Sequence, residues 1–358
     1  MAMRYPGQSG VLPEASGQII EYIRNPKKFK INKYAQYIET KTTNGVYAEV
    51  DSDQPVRIIS EADFAWADGD HRPTGNANQM AFQWVPFRTQ RSSYPWTLGD
   101  MTIDVQKAQS DIDWVQQLGG MVQSQCMTVR TNKMITAMQT AANWGDNTAA
   151  ANTLNGGYGS WAQASSDPAS PNYLAIKRTL DTVANIIDLK TNGVVQRSDL
   201  RLIVSPNLAR IMSETSEVWD YLKYGVHSKS AQQGTDRDLD EDFGLPDKLY
   251  GFEPVVENAP IILGLPPAVP WAAASITTGQ RSYIKNDTTA IIATRIGGIE
   301  GAYGAPSFST LQIYFHGAPM EVEVFPDKKH RLTEGFCTEN IFAVVAATAS
   351  GFLITGVS

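Results

Sequence analysis

The sequence predicts an α+β fold. Three observations carry that prediction: one helix longer than most globular helices, a compact helix–strand–helix unit with defined start signals, and a series of further β-runs in the last third of the chain. The long helix is expected over Asp100 to Trp144. Apolar or small residues recur there at Met101, Val105, Ala108, Ile112, Val115, Gly119, Val122, Cys126 and Val129, in alternating steps of three and four that draw one stripe. At ~1.5 Å per residue, 40 such residues would span about 60 Å, enough for other parts to pack along it. Gly119–Gly120 is the expected bend or break. In the compact unit, Ser170–Pro171 opens a helix that buries Leu174, Leu180, Val183 and Ile187, and Asn192–Gly193 ends it. Leu200–Val204 follows as a strand, and Ser205–Pro206 caps and starts a helix running through Met212. Further strands are expected at Phe252–Glu257, Ala290–Ile296, Thr310–Phe315 and Met320–Phe325, and Ile341 to Val357 reads as strand-like.

The chain before the long helix reads differently. Residues 1–54 look like an arm, with a short helix at Ile19–Ile23 stopped by Pro26. Arg24, Lys27, Lys28, Lys30 and Lys33 then follow closely, either as a solvated charge run or as a face lying near a polyanion. Residues 55–99 read as a long hairpin. One strand starts at Val56–Ile59, and the other runs over Gln79–Arg91 with Met80, Phe82 and Trp84 on one face. Pro86 places that second strand at an edge. The hairpin holds Phe64, Trp66, Phe82, Trp84, Phe87, Tyr94 and Trp96, more rings than a lone hairpin can bury. Either the hairpin folds back on its own domain or the rings pack on neighbouring subunits.

Composition narrows the function classes. With 42% hydrophobic and 19% charged residues, the 358-residue chain is globular, and its net charge of −7 excludes a generally basic nucleic-acid binder. Cys126 and Cys337 are two thiols without a pairing pattern, read as reduced and buried. The N-terminus lacks a secretory signal, and no apolar run reaches the roughly 20 residues of a membrane span. Asp236, Asp238, Asp240 and Asp247 imitate a calcium loop, but Glu241 stands where the turn glycine belongs, so a solvated acidic loop is the better reading. His71, His227, His316 and His330 are scattered without ligand spacing, and the Asn155–Ser160 loop lacks the Gly-Lys-Ser/Thr ending of a phosphate cradle. Ser205 reads as a helix cap and not a nucleophile, and Glu253, Glu257, Glu321 and Glu323 give only a weak paired-acid signal, the last two expected on a solvent face. No enzyme, no cofactor and no metal are therefore expected.

The order of arm, aromatic hairpin, long helix, mixed domain and returning strands resembles the major capsid proteins of tailed bacteriophages, the Hong Kong 97 type of fold. In residues the resemblance is strongest at Leu200–Met212, at Gly251-Phe-Glu-Pro-Val-Val-Glu-Asn-Ala-Pro260 and at the closing Thr338-Glu-Asn-Ile-Phe-Ala-Val-Val-Ala-Ala-Thr. It implies an N-terminal arm at 1–54, an extended loop at 55–99, a peripheral domain with a spine helix at 100–150 and 310–345, and an axial domain at 151–309 and 346–358. It further implies self-assembly into pentamers and hexamers of an icosahedral head enclosing double-stranded DNA, in the virion after assembly in the host cytoplasm. A separate scaffolding protein, a portal and decoration proteins are the expected partners, with no membrane. An encapsulin-type shell is the near alternative, and a two-domain hydrolase or a secreted adhesin are more distant ones. Some members weld neighbours through a lysine of the extended loop. This chain has no lysine between Lys41 and Lys107, so a non-crosslinked shell is expected.

Overall fold

Strands with apolar residues on both sides need cover on both faces, and two stretches of this chain have that character: Leu200-Arg-Leu-Ile-Val204 and Thr289-Ala-Ile-Ile-Ala-Thr294. The structure is a computed structural model that describes residues 10–11, 29–50, 82–99, 114–191, 193–224, 244–262, 281–295, 308–317, 321–327 and 329–358. In chain order its elements are β1 (Gly10–Val11), a 3-10 turn at Lys30–Lys33, β2 (Gln36–Thr40), β3 (Asn44–Val50), β4 (Phe82–Arg88), β5 (Gln90–Gly99), α1 (Trp114–Gln139), β6 (Thr148–Ala150), α2 (Ala175–Thr191), β7 (Leu200–Val204), α3 (Pro206–Glu214), α4 (Ser216–Tyr224), β8 (Glu253–Val256), β9 (Pro260–Ile262), β10 (Arg281–Tyr283), β11 (Thr289–Thr294), β12 (Leu311–His316), β13 (Glu321–Asp327), β14 (Leu332–Val345) and β15 (Phe352–Thr355).

The two apolar strands lie side by side in a five-stranded mixed sheet of order β6-β15-β11-β7-β8. Strand periodicity divides their side chains between two cores. Leu202, Val204, Ala290, Ile292, Phe352 and Ile354 face α2 and α3, whose Ile176, Leu180, Val183, Ile187, Leu208 and Met212 complete one core. Ile203, Val255, Ile291 and Leu353 face the other way, into a core shared with α1 and a second sheet. The second sheet is built around β14, which pairs with β13 and then β12 along one edge and with β5 along the other. β2 extends it in parallel beside β12, and Gly10–Val11 extends it beside β13.

Several expectations shift in register. Gln90–Gly99 does not belong to a free hairpin; it runs the length of β14, from Leu332↔Gly99 to Ile341↔Gln90. The strand that partners β4 is Asn44–Val50, inside the stretch read as arm, while Val56–Ile59 lies outside the described residues. Pro86 does sit on an edge strand, opposite Val46 in a two-stranded ribbon. The long helix is described over Trp114–Gln139 and ends five residues before Trp144, which falls in a 3-10 turn with its indole Nε1 donating to Met138 O at 2.7 Å. Gly119 and Gly120 stay inside the helix without a break. Ser170–Pro171 form turns and α2 begins at Ala175; Leu174 stands outside it with φ 51°. Thr148–Ala150 and most of Leu332–Val345 are strands the sequence pattern did not single out.

Candidate assembly surfaces

A shell subunit needs a rigid frame and apolar surface left over for its neighbours. The frame is set where α1 crosses β14. Along α1 from residue 125 onward the buried residues are Cys126, Met127, Arg130, Thr131, Met134, Ile135 and Met138, whereas Val129, counted into the apolar stripe, is exposed. A buried arginine accounts for the shift of phase. Arg130 reaches Glu339 of β14 through Nη2 at 2.6 Å and Nε at 3.0 Å, and the Tyr94 hydroxyl donates to the other carboxylate oxygen at 2.8 Å. Burial works against the Arg130 charge, and the Glu339 carboxylate outweighs that cost and holds the guanidinium pKa above its ordinary value. The same surroundings push the Cys337 thiol up to about 12, through burial first and Glu339 second, and raise Cys126 for the same reasons. Neither cysteine is in a disulfide and both are buried, as expected.

A second tie joins the 3-10 turn at Lys30–Lys33 to the five-stranded sheet. Glu257, fully buried after β8, accepts from the backbone N–H of Ile31 at 2.7 Å and of Ala259 at 3.1 Å. Burial lifts its pKa to about 7, against the pull of those two N–H groups and of Lys30. Asn32 Nδ2 donates to Thr131 of α1 at 3.0 Å, and Tyr34 donates to Glu253 at 3.0 Å. The turn is thus fastened to α1 and to the β7–β8 region together. Glu253 pairs with Arg201 at 3.0 Å, so Glu253 and Glu257 serve separate contacts and form no acid pair.

The seven aromatic candidates separate. Phe87 is 6% exposed and stacks on Phe342 at 5.5 Å, with Tyr314 at 4.6 Å. Together with Tyr47 these rings close the root of the β3–β4 ribbon onto the second sheet, on the face away from α1. Tyr94 is 7% exposed beneath α1. Both rings are therefore consumed by the chain's own core and are withdrawn as contact candidates. Trp84, on the opposite face of the ribbon from Phe87, is 48% exposed beside exposed Val46 and Pro86. Phe82 stands opposite Val50 and Trp96 opposite Gly335 in the strand registers. Phe64 and Trp66 lie outside the described residues. Two patches that the sequence reading missed are Phe325–Phe336, an edge-on pair at 6.0 Å on the open face of β13–β14, and Trp219 of α4 at 63% exposure. Alternation in β13 and β14 could have exposed the first: Phe325 shares its face with Glu321 and Glu323, which are half-buried and not fully solvated.

Of the basic residues, Arg24, Lys27 and Lys28 fall outside the described residues. Lys30 is half-buried with its charge acting on Glu257, and Lys33 is exposed. The acidic residues 236–242, with His71 and His227, also lie outside the description. His316 Nδ1 meets Thr40 O at 3.0 Å, and exposed His330 pairs with Asp327 at 2.6 Å. Among the described residues no cluster of His, Cys, Asp or Glu could hold a metal ion, and no helix is long and apolar enough to cross a membrane.

With this architecture in view, solved structures supply the decisive likeness. A phage-related protein from Bordetella bronchiseptica superposes with a TM-score of 0.62 at 11% identity, covering 98% of each chain. The fold is that of a tailed-phage capsid protein of the Hong Kong 97 type. The capsid of cyanophage P-SCSP1u is similar over 99% of this chain and 90% of its own, with a TM-score of 0.50 at 9% identity. A virus-like particle from Pyrococcus furiosus overlaps over 96% of this chain at 7% identity with a TM-score of 0.48, too distant to weigh. No protein-family model matches the sequence, and no curated protein does. At these identities the likeness is one of fold.

Proposed function

We propose that the chain is a major capsid protein that closes into pentamers and hexamers of an icosahedral phage head around double-stranded DNA, without catalysis of its own. The observation that supports this most is the near end-to-end likeness of the fold to a phage-related protein, 98% of each chain. The surfaces agree with it. The β3–β4 ribbon carries Trp84 and Val46 exposed on one face, and a second aromatic pair lies open on the long sheet. One chain making unlike contacts front and back generates rings when the rotation closes, and rings joined edge to edge generate a shell. Each contact can be weak because many act at once. In this reading the residues before β3 are the arm, β3 and β4 belong to the extended loop and α1 is the spine, with a separate scaffold, a portal and decoration proteins as assembly partners. DNA would be held without sequence preference and in a salt-sensitive manner.

The test is the content of particles made by the purified chain or recovered from infected cells. Nuclease-protected double-stranded DNA is the expected cargo. Particles that enclose a defined protein and no nucleic acid would instead assign an encapsulin-type compartment, and a hydrolytic activity carried by a monomer would refute both.

A further inference from the structure

Where the ribbon root leaves the second sheet, a cleft of about 470 Å³ opens between three strand ends. Arg88, Thr89 and Arg91 line it from β4 and β5, His316 and Glu321 from the facing ends of β12 and β13, and Asn340 from β14. Arg88 and Arg91 are exposed and hold no ion pair or hydrogen-bonded acceptor among the described residues. Glu339 also borders the cleft, but its charge is matched by Arg130, so the unmatched charges among the lining residues are the two arginines and Glu321. Asn340 keeps its side-chain oxygen buried with no donor.

We propose that this cleft is a carboxylate-binding site that receives an acidic side chain of a second copy of the chain, locking neighbouring subunits together. The proposal rests on the shell reading above. The charge balance selects the ligand: a surplus of one positive charge suits a single carboxylate better than a run of phosphates, which Glu321 would repel. A guanidinium fork suits a carboxylate geometrically. Acidic side chains outnumber basic ones in every copy, 37 to 30.

The experiment compares the wild-type chain with Arg88→Glu/Arg91→Glu, and with Arg88→Gln/Arg91→Gln as the milder pair that keeps the side-chain stems. Assembly is followed by sedimentation across a concentration series, with far-UV circular dichroism as the folding control. Each pair is worth little alone but recurs at every subunit, so the charge-reversed variant should need about tenfold more protein to assemble, the Gln pair less, both with native spectra. Both variants assembling at the wild-type concentration would overturn the cleft and leave the shell reading intact. A wild-type chain that never assembles would overturn both. Loss of binding to a labelled duplex oligonucleotide, with assembly unchanged, would give the arginines to phosphate and also overturn the proposal.

Discussion

Two buried charges without a full counter-charge make the stability of this chain depend on pH. Glu257 is raised to about 7 by burial, and Lys285, 1% exposed, is lowered to about 7 by burial, with its ammonium donating to the Thr289 carbonyl and hydroxyl oxygens. For Glu257 the folded state holds its proton more tightly than the unfolded state, so stability is full below the ordinary carboxylate pKa of 4.5 and is lost as pH rises to about 7. For Lys285 the sign is reversed. Stability is full above 10.5 and is lost as pH falls to about 7. The urea midpoint should therefore be lowest near neutrality, with a swing of about 3 kcal/mol at most on the acid side and about 5 kcal/mol at most on the basic side. Glu257→Gln should flatten the acid limb alone and Lys285→Met the basic limb alone; a profile unchanged by both would contradict the assignment. Arg130–Glu339 is a different case, because the pair is complete. Removing one partner leaves a buried charge, so Glu339→Gln should cost about 3–5 kcal/mol in urea unfolding, and Arg130→Met/Glu339→Met should recover much of it. Cys126 and Cys337 should resist a thiol reagent until denaturant is added, since both are buried with raised pKa values. Labelling of the native chain within minutes would contradict the packing of α1 on β14.

At the scale of elements, the helix starts are the most sharply specified features. Ser205 accepts from Leu208 N–H at 3.1 Å with Pro206 next to it, as its local sequence demands, and Ser205→Ala should cost about 1 kcal/mol of stability by thermal or urea unfolding. The start of α2 is capped from outside instead: Glu217 of α4 accepts from Ile176 and Lys177 N–H at 3.1 and 2.8 Å. Glu217→Ala should cost as much or more, which no inspection of the α2 sequence would suggest. That contrast explains what was legible. β7, β8, β11 and β12 were readable within a residue or two because their apolar runs and caps are local signals. β14 was not, because Gly335, Glu339 and Asn340 interrupt its pattern, and the group that makes buried Glu339 tolerable lies 209 residues away. The phase of α1 was misread at Val129 for the same reason, since Arg130 looks like a surface residue until Glu339 is placed. The outgoing ribbon strand, Asn44–Val50, was absorbed into the arm because its inward residue Tyr47 gains meaning only against Phe87, Tyr314 and Phe342.

For the whole molecule, the sheets, α1 and the compact helical layer make a subunit with its rings divided between inside and outside. Phe87 and Tyr94 serve the fold, whereas Trp84, Phe325, Phe336 and Trp219 remain on the surface. The sequence resemblance gave the right fold type, while the hairpin reading left open for all seven rings together whether they fold back or pack on neighbours, because spacing alone does not reveal which side of a ribbon meets its own sheet. The central claim is that copies of this chain cover one another. Negative-stain electron microscopy of the purified full-length chain, across protein concentration and salt, tests it most directly. The account predicts closed particles with five-fold and six-fold clusters on their surface, whereas a monodisperse monomer under every condition would contradict it.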